Sequence, residues 1–130
     1  MIVVDASALL EVLLRTPAAE AVERRLLASR QTLHAPHLLD VEVAQVIRRY
    51  ALAGEIDPAR GGEALADLGD FPLRRYPHDF LLSRVWDLRN SLTSYDAVYV
   101  ALAEALDAAL LTRDHRLAAA PGHSARVELV

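Results

Sequence analysis

Four carboxylates stand where the chain passes between backbone elements: Asp5 directly after Ile2-Val3-Val4, Glu42 within a helical pattern, Asp96 at a helix start, and Asp114 just past Leu110-Leu111-Thr112. Hard divalent cations such as Mg²⁺ prefer oxygen ligands, and a carboxylate-held cation keeps positions open for water and phosphate. If a fold gathers these side chains at one edge, the chemistry within reach is metal-assisted hydrolysis of a phosphodiester. Each residue also admits a plainer explanation. Asp5 alone fits a helix cap or turn residue equally well. Thr93-Ser94-Tyr95-Asp96 is a capping-box pattern with aspartate in the place of glutamate, which accounts for Asp96 without any metal. On a helix advancing about 100° per residue, Asp40 and Glu42 are about 200° apart, so both cannot face one site, and geometry does not choose between them.

The elements that must position these groups alternate in type. Ile2-Val3-Val4 reads as a short buried strand, followed by a helix over Ala6 to Leu14. Thr16-Pro17 has the form of an N-cap with proline at the first helical position, opening a helix to about Ser29. Thr32 to Ala35 is a second strand. Leu39, Val43, Val46, Ile47 and Tyr50 share one helical stripe that Gly54 is placed to end. Asp57-Pro58 repeats the cap signal for a helix stopping near Gly69, Leu73 to Tyr76 can form a third strand, and Phe80 to Leu88 a helix around Trp86. Thr93 precedes a helix with the stripe Tyr95, Val98, Tyr99, Leu102 and Leu106; Ala108 to Thr112 is a fourth strand, Asp114 to Ala120 a short helix, and Arg126 to Val130 a last edge strand. Such alternation implies a parallel sheet covered on both faces, and ligands of such sheets collect beyond the carboxyl ends of the strands. Asp5 and Asp114 lie at two of those ends, and Asp96 can approach the same edge.

Composition narrows the function classes. A chain of 130 residues is expected to form a single domain, residues 1–130, with no linker, repeat or low-complexity tract. Charged residues interrupt every apolar run and no leader pattern opens the chain, so a soluble cytoplasmic protein without a membrane segment is expected. There is no cysteine, which excludes disulfides, thiolate zinc sites and cysteine nucleophiles. All fourteen basic residues are arginine, which excludes Schiff-base lysines, the lysine of phosphate-binding loops and the lysine of receiver domains. A net charge of −4 argues against coating nucleic acid through a broad basic surface, yet two bound divalent cations would neutralise it where a phosphodiester would sit. His34, His37, His78, His115 and His123 show no i, i+4 ligand pair and are expected in surface or cap roles. Trp86, Tyr95 and Tyr99 fall on helical stripes and are expected in core or subunit contacts. Arg113 and Arg116 flank Asp114 and suit phosphate contact as well as a solvated turn.

The ordered set Ile2-Val3-Val4-Asp5-Ala6-Ser7-Ala8, Ala35-Pro36-His37-Leu38-Leu39-Asp40-Val41-Glu42-Val43, Tyr95-Asp96-Ala97-Val98-Tyr99-Val100-Ala101-Leu102-Ala103 and Leu111-Thr112-Arg113-Asp114 resembles the PIN-domain family, and more narrowly the VapC toxins of bacterial toxin–antitoxin pairs. The likeness runs over essentially the whole chain. It implies a three-layer α/β/α sandwich with a central, mostly parallel sheet. It also implies an endoribonuclease that uses Mg²⁺ or Mn²⁺ and leaves 5′-phosphate and 3′-hydroxyl ends on RNA. Carried over by position, its acidic ligands fall on Asp5, Glu42, Asp96 and Asp114, which selects Glu42 over Asp40, while Ser7 and Thr112 match supporting hydroxyls. A homodimer is implied, as is a small VapB-like antitoxin wound over helices near the site. Many relatives carry glycine before the fourth strand, where this chain has Asp107-Ala108; some add an acid or amide beyond the last aspartate, where His115 and Arg116 follow. A catalytically silent PIN-like interaction module is the other expectation the same pattern allows. A phosphatase with an aspartyl-phosphate intermediate needs a second aspartate two residues after the first, and Ser7 stands there.

Overall fold

The computed structural model describes residues 1–130. Strands β1 (Ile2–Val4), β2 (Leu33–Pro36), β3 (Leu73–Tyr76), β4 (Ala109–Thr112) and β5 (Arg126–Leu129) form one sheet in the order β3-β2-β1-β4-β5. Every neighbouring pair is parallel, including the C-terminal edge, so the sheet is wholly parallel where the sequence implies a mostly parallel one. β1, β2 and β4 are completely buried, as near-continuous apolar strands are when helices cover both faces. β3 and β5 carry arginines and a glutamate, which suit partly covered edges.

The helices are α1 (Ala6–Leu13), α2 (Ala19–Leu26), α3 (Leu38–Leu52), α4 (Pro58–Asp70), α5 (Leu82–Asp87), α6 (Ser94–Leu106) and α7 (His115–Ala119), with a 3₁₀ turn at Asp79–Leu81. α1 packs on α2, α3 and α4, whereas α6 packs on α5, the 3₁₀ turn and strands β1, β2 and β4. Both groups reach the sheet with little contact between them, which produces the expected three layers. α6 is buried without a break from Ala97 to Ala103, because the sheet lies on one side of it and α5 on the other. One apolar cluster of 31 buried residues joins both faces, so the elements that carry the acidic residues rest on a common core.

Local signals account for several boundaries. Asp57 accepts from the Ala59 N–H at 2.8 Å with Pro58 opening α4, and Gly54 takes φ +74° after α3. Asp107 adopts φ 49° and ψ 44° after α6, supplying the left-handed residue that glycine would provide; aspartate tolerates this region better than most side chains. Arg126 donates to its carboxylate at 3.0 Å and holds the turn.

Four expectations are corrected. Thr16-Pro17 does not open α2, which starts at Ala19 after Ala18, because the Thr16 hydroxyl is drawn to the Glu11 carboxylate instead. Trp86 and Tyr95 are not in the core: they are 67% and 63% exposed, and only Tyr99 of the three aromatic residues is buried. The segment from Phe80 is a 3₁₀ turn leading into a six-residue helix, too short to bury Trp86. His34 is a core residue and not a surface one, since β2 is buried on both faces; its ring nitrogens lie 2.7 Å from the Thr32 and Tyr76 hydroxyls.

A hydroxyl can donate or accept, so those two partners satisfy a neutral imidazole in either tautomer but offer a cation no counter-charge. Burial, reinforced by Arg74, depresses the His34 pKa below its ordinary value of 6.5. The unfolded chain therefore takes up a proton that the native state refuses, so the stability due to neutral His34 is complete above about pH 6.5 and is lost as pH falls through that value. Urea titrations at pH 7.5 and 5.5 should show the wild type losing stability relative to His34→Gln, by at most about 1.4 kcal/mol per pH unit. Equal pH dependence in the two proteins would show that His34 does not titrate as its burial requires.

Candidate active site

The strand order reverses beside β1. The chain leaves β1 for β2 and β3 on one side and returns through α6 to β4 on the other, which opens a crevice at the carboxyl ends of β1 and β4. A cleft of about 650 Å³ lies there, and Asp5, Glu42, Asp96 and Asp114 all line it. The four singled-out carboxylates thus converge from the end of β1, the first half of α3, the first turn of α6 and the loop after β4. Asp40 does not join them. It faces β3, where Arg75 Nε donates to its two oxygens at 2.8 and 3.1 Å. The opposition of neighbouring helical positions 40 and 42 is therefore realised, and only one of the two borders the cleft.

Asp5 is the deepest of the four, at 7% exposure. Pairing of Val4 with Leu111 sets Asp5 next to Thr112, and Ser7 lies in the first turn of α1. The Ser7 and Thr112 hydroxyls donate to the same oxygen, Oδ2, at 2.6 and 2.8 Å, so Oδ1 has no hydroxyl partner. The same hydroxyl oxygens accept from the Arg113 and Asp114 N–H groups, each at 3.0 Å. Burial raises the Asp5 pKa, the two hydroxyl bonds oppose that rise, and the charge of Asp114 adds to it.

Glu42 is half-buried, and its Oε1 accepts from the Tyr99 hydroxyl at 2.6 Å. Desolvation raises its pKa, partly offset by Tyr99, with Asp5 and Asp96 pushing the same way as burial. Burial and the adjacent carboxylates hold Tyr99 firmly in its protonated, donating form. Sequence reasoning does not single out Tyr99 as a site residue. The signal it offers is a tyrosine on a buried helical stripe one turn beyond Asp96, because a buried phenol needs a hydrogen-bond partner. Asp96 is half-buried; the Thr93 hydroxyl accepts from its N–H at 3.2 Å, while no bond from the Thr93 N–H to the Asp96 carboxylate closes the capping box. Its pKa is raised by burial, then by Asp5 and Asp114, with Arg116 opposing. Asp114 caps α7 by accepting from the Arg116 N–H at 2.9 Å.

Arg113 lines the cleft, with its Nη1 on the Val130 carbonyl at 2.7 Å and its Nε 3.5 Å from Glu11. Arg116 is exposed and lies outside the lining, so it acts on the cleft through charge alone. No histidine lines the cleft, and no three acidic or histidine side chains stand as a closed ligand cage. An all-oxygen set of this kind fits Mg²⁺ or Mn²⁺, because Mg²⁺ keeps much of its hydration and takes only one or two carboxylates directly. The unshared Oδ1 of Asp5 and the second oxygen of Glu42 are suitable donors for it.

Capping and repulsion predict different outcomes at Asp96. The substitution Asp96→Asn retains the backbone N–H that Thr93 caps and gives up only a charge at a helix N-terminus, worth about 0.3–1 kcal/mol. It also removes an anion whose ionised form the cleft disfavours. The variant should therefore melt no lower than wild type in EDTA at pH 7, as read by circular dichroism. A clear drop in melting temperature would assign Asp96 chiefly to the helix cap.

The PIN-domain family model matches residues 2–122. Ribonuclease VapC1 of Mycobacterium tuberculosis is 46% identical over 129 residues, 98% of this chain and 96% of that protein. Among solved structures, M. tuberculosis VapC20, described as a sarcin–ricin loop cleaving toxin, superposes with a TM-score of 0.71 at 16% identity, covering 92% of this chain and 94% of that one. A toxin–antitoxin complex from Klebsiella pneumoniae aligns with a TM-score of 0.69 at 16% identity, over 92% and 91% of the two chains. At such identities the structural matches speak for the fold, whereas the family match and the VapC1 identity speak for descent. The chain belongs to the PIN-domain family and, within it, to the VapC ribonucleases.

Proposed function

We propose that this chain is a metal-dependent endoribonuclease, the toxin of a toxin–antitoxin pair, built as one nuclease domain over residues 1–130. The observation that carries the reading is the convergence of Asp5, Glu42, Asp96 and Asp114 on a single cleft in a chain of the PIN-domain family. The ribonuclease name of a relative at 46% identity supports RNA as substrate. In this reading the four carboxylates hold Mg²⁺ or Mn²⁺. When bound, the cation supplies Lewis acidity toward a phosphoryl oxygen and acidifies water, yielding 5′-phosphate and 3′-hydroxyl ends.

The chain's own groups do the positioning. Ser7 and Thr112 fix one oxygen of Asp5, and Tyr99 fixes one oxygen of Glu42, so each carboxylate offers its other oxygen in a set direction. Arg113 keeps Nη2 free of protein partners and can meet a phosphate, with Arg116 adding positive charge nearby. A VapB-like antitoxin bound over the helices beside the cleft would shield these groups. A homodimer is supported by Phe80, Leu82 and Trp86, which are 55%, 56% and 67% exposed along the 3₁₀ turn and α5. No helix is long and apolar enough to cross a membrane, and a cytoplasmic location accords with an RNA substrate.

Two tests bear on this reading. Cleavage of RNA should require Mg²⁺ or Mn²⁺ and stop with EDTA, while a zinc-selective chelator leaves it intact. Robust cleavage in EDTA by a nuclease-free preparation would end the metal-dependent mechanism. Glu42→Gln should lower the cleavage rate by about a hundredfold or more, which is about 2.7 kcal/mol of transition-state stabilisation. Asp40→Asn should leave the rate unchanged, since it breaks only the outlying pair with Arg75; the opposite pattern would move the site to the other side of α3.

A further inference from the structure

We propose that the outer half of the acidic cleft is a binding site for an unpaired RNA strand, in which Tyr95 and Tyr50 stack on bases and Arg49 takes a phosphate. The proposal rests on the ribonuclease reading above and adds to it the form of RNA accepted and the residues that grip it.

Three observations carry it. Tyr95 and Tyr50 enter the cleft lining from different helices, α6 and α3, and are 63% and 36% exposed. Neither phenol makes a hydrogen bond, in contrast to Tyr99 and Tyr76, whose hydroxyls are both engaged. Aromatic faces are thus left open at the rim of a cleft whose floor is acidic, and Tyr95 is the residue directly before Asp96. The third observation concerns charge. Arg49 and Arg113 are the two arginines that line the cleft. Arg113 is held by the Val130 carbonyl and lies beside Glu11, whereas Arg49 enters no hydrogen bond or ion pair.

These features suit a single strand. A chain of net charge −4 has no general attraction for a polyanion, and four carboxylates on the floor repel phosphates further. Stacking does not depend on the charge of the strand, so it can hold RNA where simple electrostatics would expel it. It requires bases that are free to leave their neighbours. A duplex buries its base faces, and its deep, narrow major groove admits no side chain, so paired RNA would offer Tyr95 and Tyr50 nothing to stack on. A cleft of about 650 Å³ has room for an extruded nucleotide beside the carboxylates.

The test uses the full chain carrying Asp5→Asn, to prevent cleavage, with Mg²⁺ present. The probes are a short poly(A) RNA containing 2-aminopurine and the same strand annealed to poly(U). Binding of the single strand should quench 2-aminopurine. Tyr95→Ala should weaken that binding by about five- to a hundredfold and remove the quenching, and Tyr95→Phe should restore both. Arg49→Gln should weaken binding and reduce its salt dependence by about one released counterion while leaving the quenching in place. The duplex should bind weakly and ignore Tyr95→Ala. In the cleaving protein, Tyr95→Ala should act mainly on KM, with the melting temperature unchanged because the side chain is exposed. Unchanged single-strand affinity and quenching in Tyr95→Ala, or a duplex bound as tightly as the single strand, would overturn the proposal. Should Tyr95→Ala spare RNA binding but abolish neutralisation by a co-expressed antitoxin, the rim belongs to a protein partner and the proposal likewise falls. Wild-type protein that neither cleaves nor binds any RNA sinks the ribonuclease reading itself; wild-type cleavage with an unaltered KM in Tyr95→Ala sinks the stacking site alone.

Discussion

Burying an ionisable carboxylate at the end of the central strand is the constraint around which the rest of this site is organised. Desolvation works against the charged form of Asp5, and only hydrogen bonds to that form can offset it. Ser7 and Thr112 supply them from α1 and β4, and both hydroxyls are themselves occupied by main-chain N–H groups of the loop after β4. One network therefore joins the ends of β1 and β4 to the start of α1. Parallel pairing of Val4 with Leu111 fixes the register that makes it possible. A slip by one residue would turn Thr112 to the other face of the sheet and leave Asp5 short of a donor.

The residues that position the other carboxylates serve the scaffold as well. Asp114 caps α7 with one oxygen, and Thr93 caps α6 at the turn that carries Asp96. Tyr99 fills the core of α6 and ends on Glu42, so the packing of α6 against the sheet also sets where that carboxylate lies. The groups repel one another: Asp5, Glu42 and Asp96 are all pushed above their ordinary pKa values, by burial first and by neighbouring acids second. Each is supported by a fully formed element of the core, which lets the chain tolerate a cleft that is unfavourable in isolation.

Legibility in the sequence follows how local each determinant is. β1 and β4 are short aliphatic runs followed by aspartate, and the rule for open parallel sheets places both acids at one edge. Gly54 and Asp57-Pro58 are punctuation that acts within a few residues, and both behave as expected. Thr16-Pro17 carries the same punctuation and fails, because Glu11, one and a half turns earlier, competes for the hydroxyl. Glu42 cannot be separated from Asp40 by helical geometry, since the distinction lies in partners distant in sequence: Arg75 on β3 for Asp40 and Tyr99 on α6 for Glu42. The resemblance carries that choice. Aromatic residues mislead for a related reason. A stripe position predicts which way a side chain points but not whether another element arrives to cover it, and nothing covers Trp86 or Tyr95.

The distribution of arginine explains how a chain built around an acidic cleft can act on a polyanion without becoming a general nucleic-acid binder. Seven of the fourteen arginines form ion pairs with acidic residues of the same chain: Arg24, Arg25, Arg60, Arg75, Arg84, Arg113 and Arg126. Several are two-point contacts, such as Arg84 with Glu104 and Arg25 with Glu128, that hold edges and helices together. Arginines committed in this way contribute little long-range attraction, because each is matched by a nearby opposite charge. Affinity for RNA, in the function proposed, must then arise inside the cleft, from the cation, from the arginines at its rim and from contacts that depend on strand shape. Binding of that origin is short-ranged and demands a particular local geometry of its substrate. A nuclease with a broad basic face would instead meet every RNA alike, so the pairing of arginine with acid across the rest of the surface is what makes selective cleavage physically attainable for so small a protein.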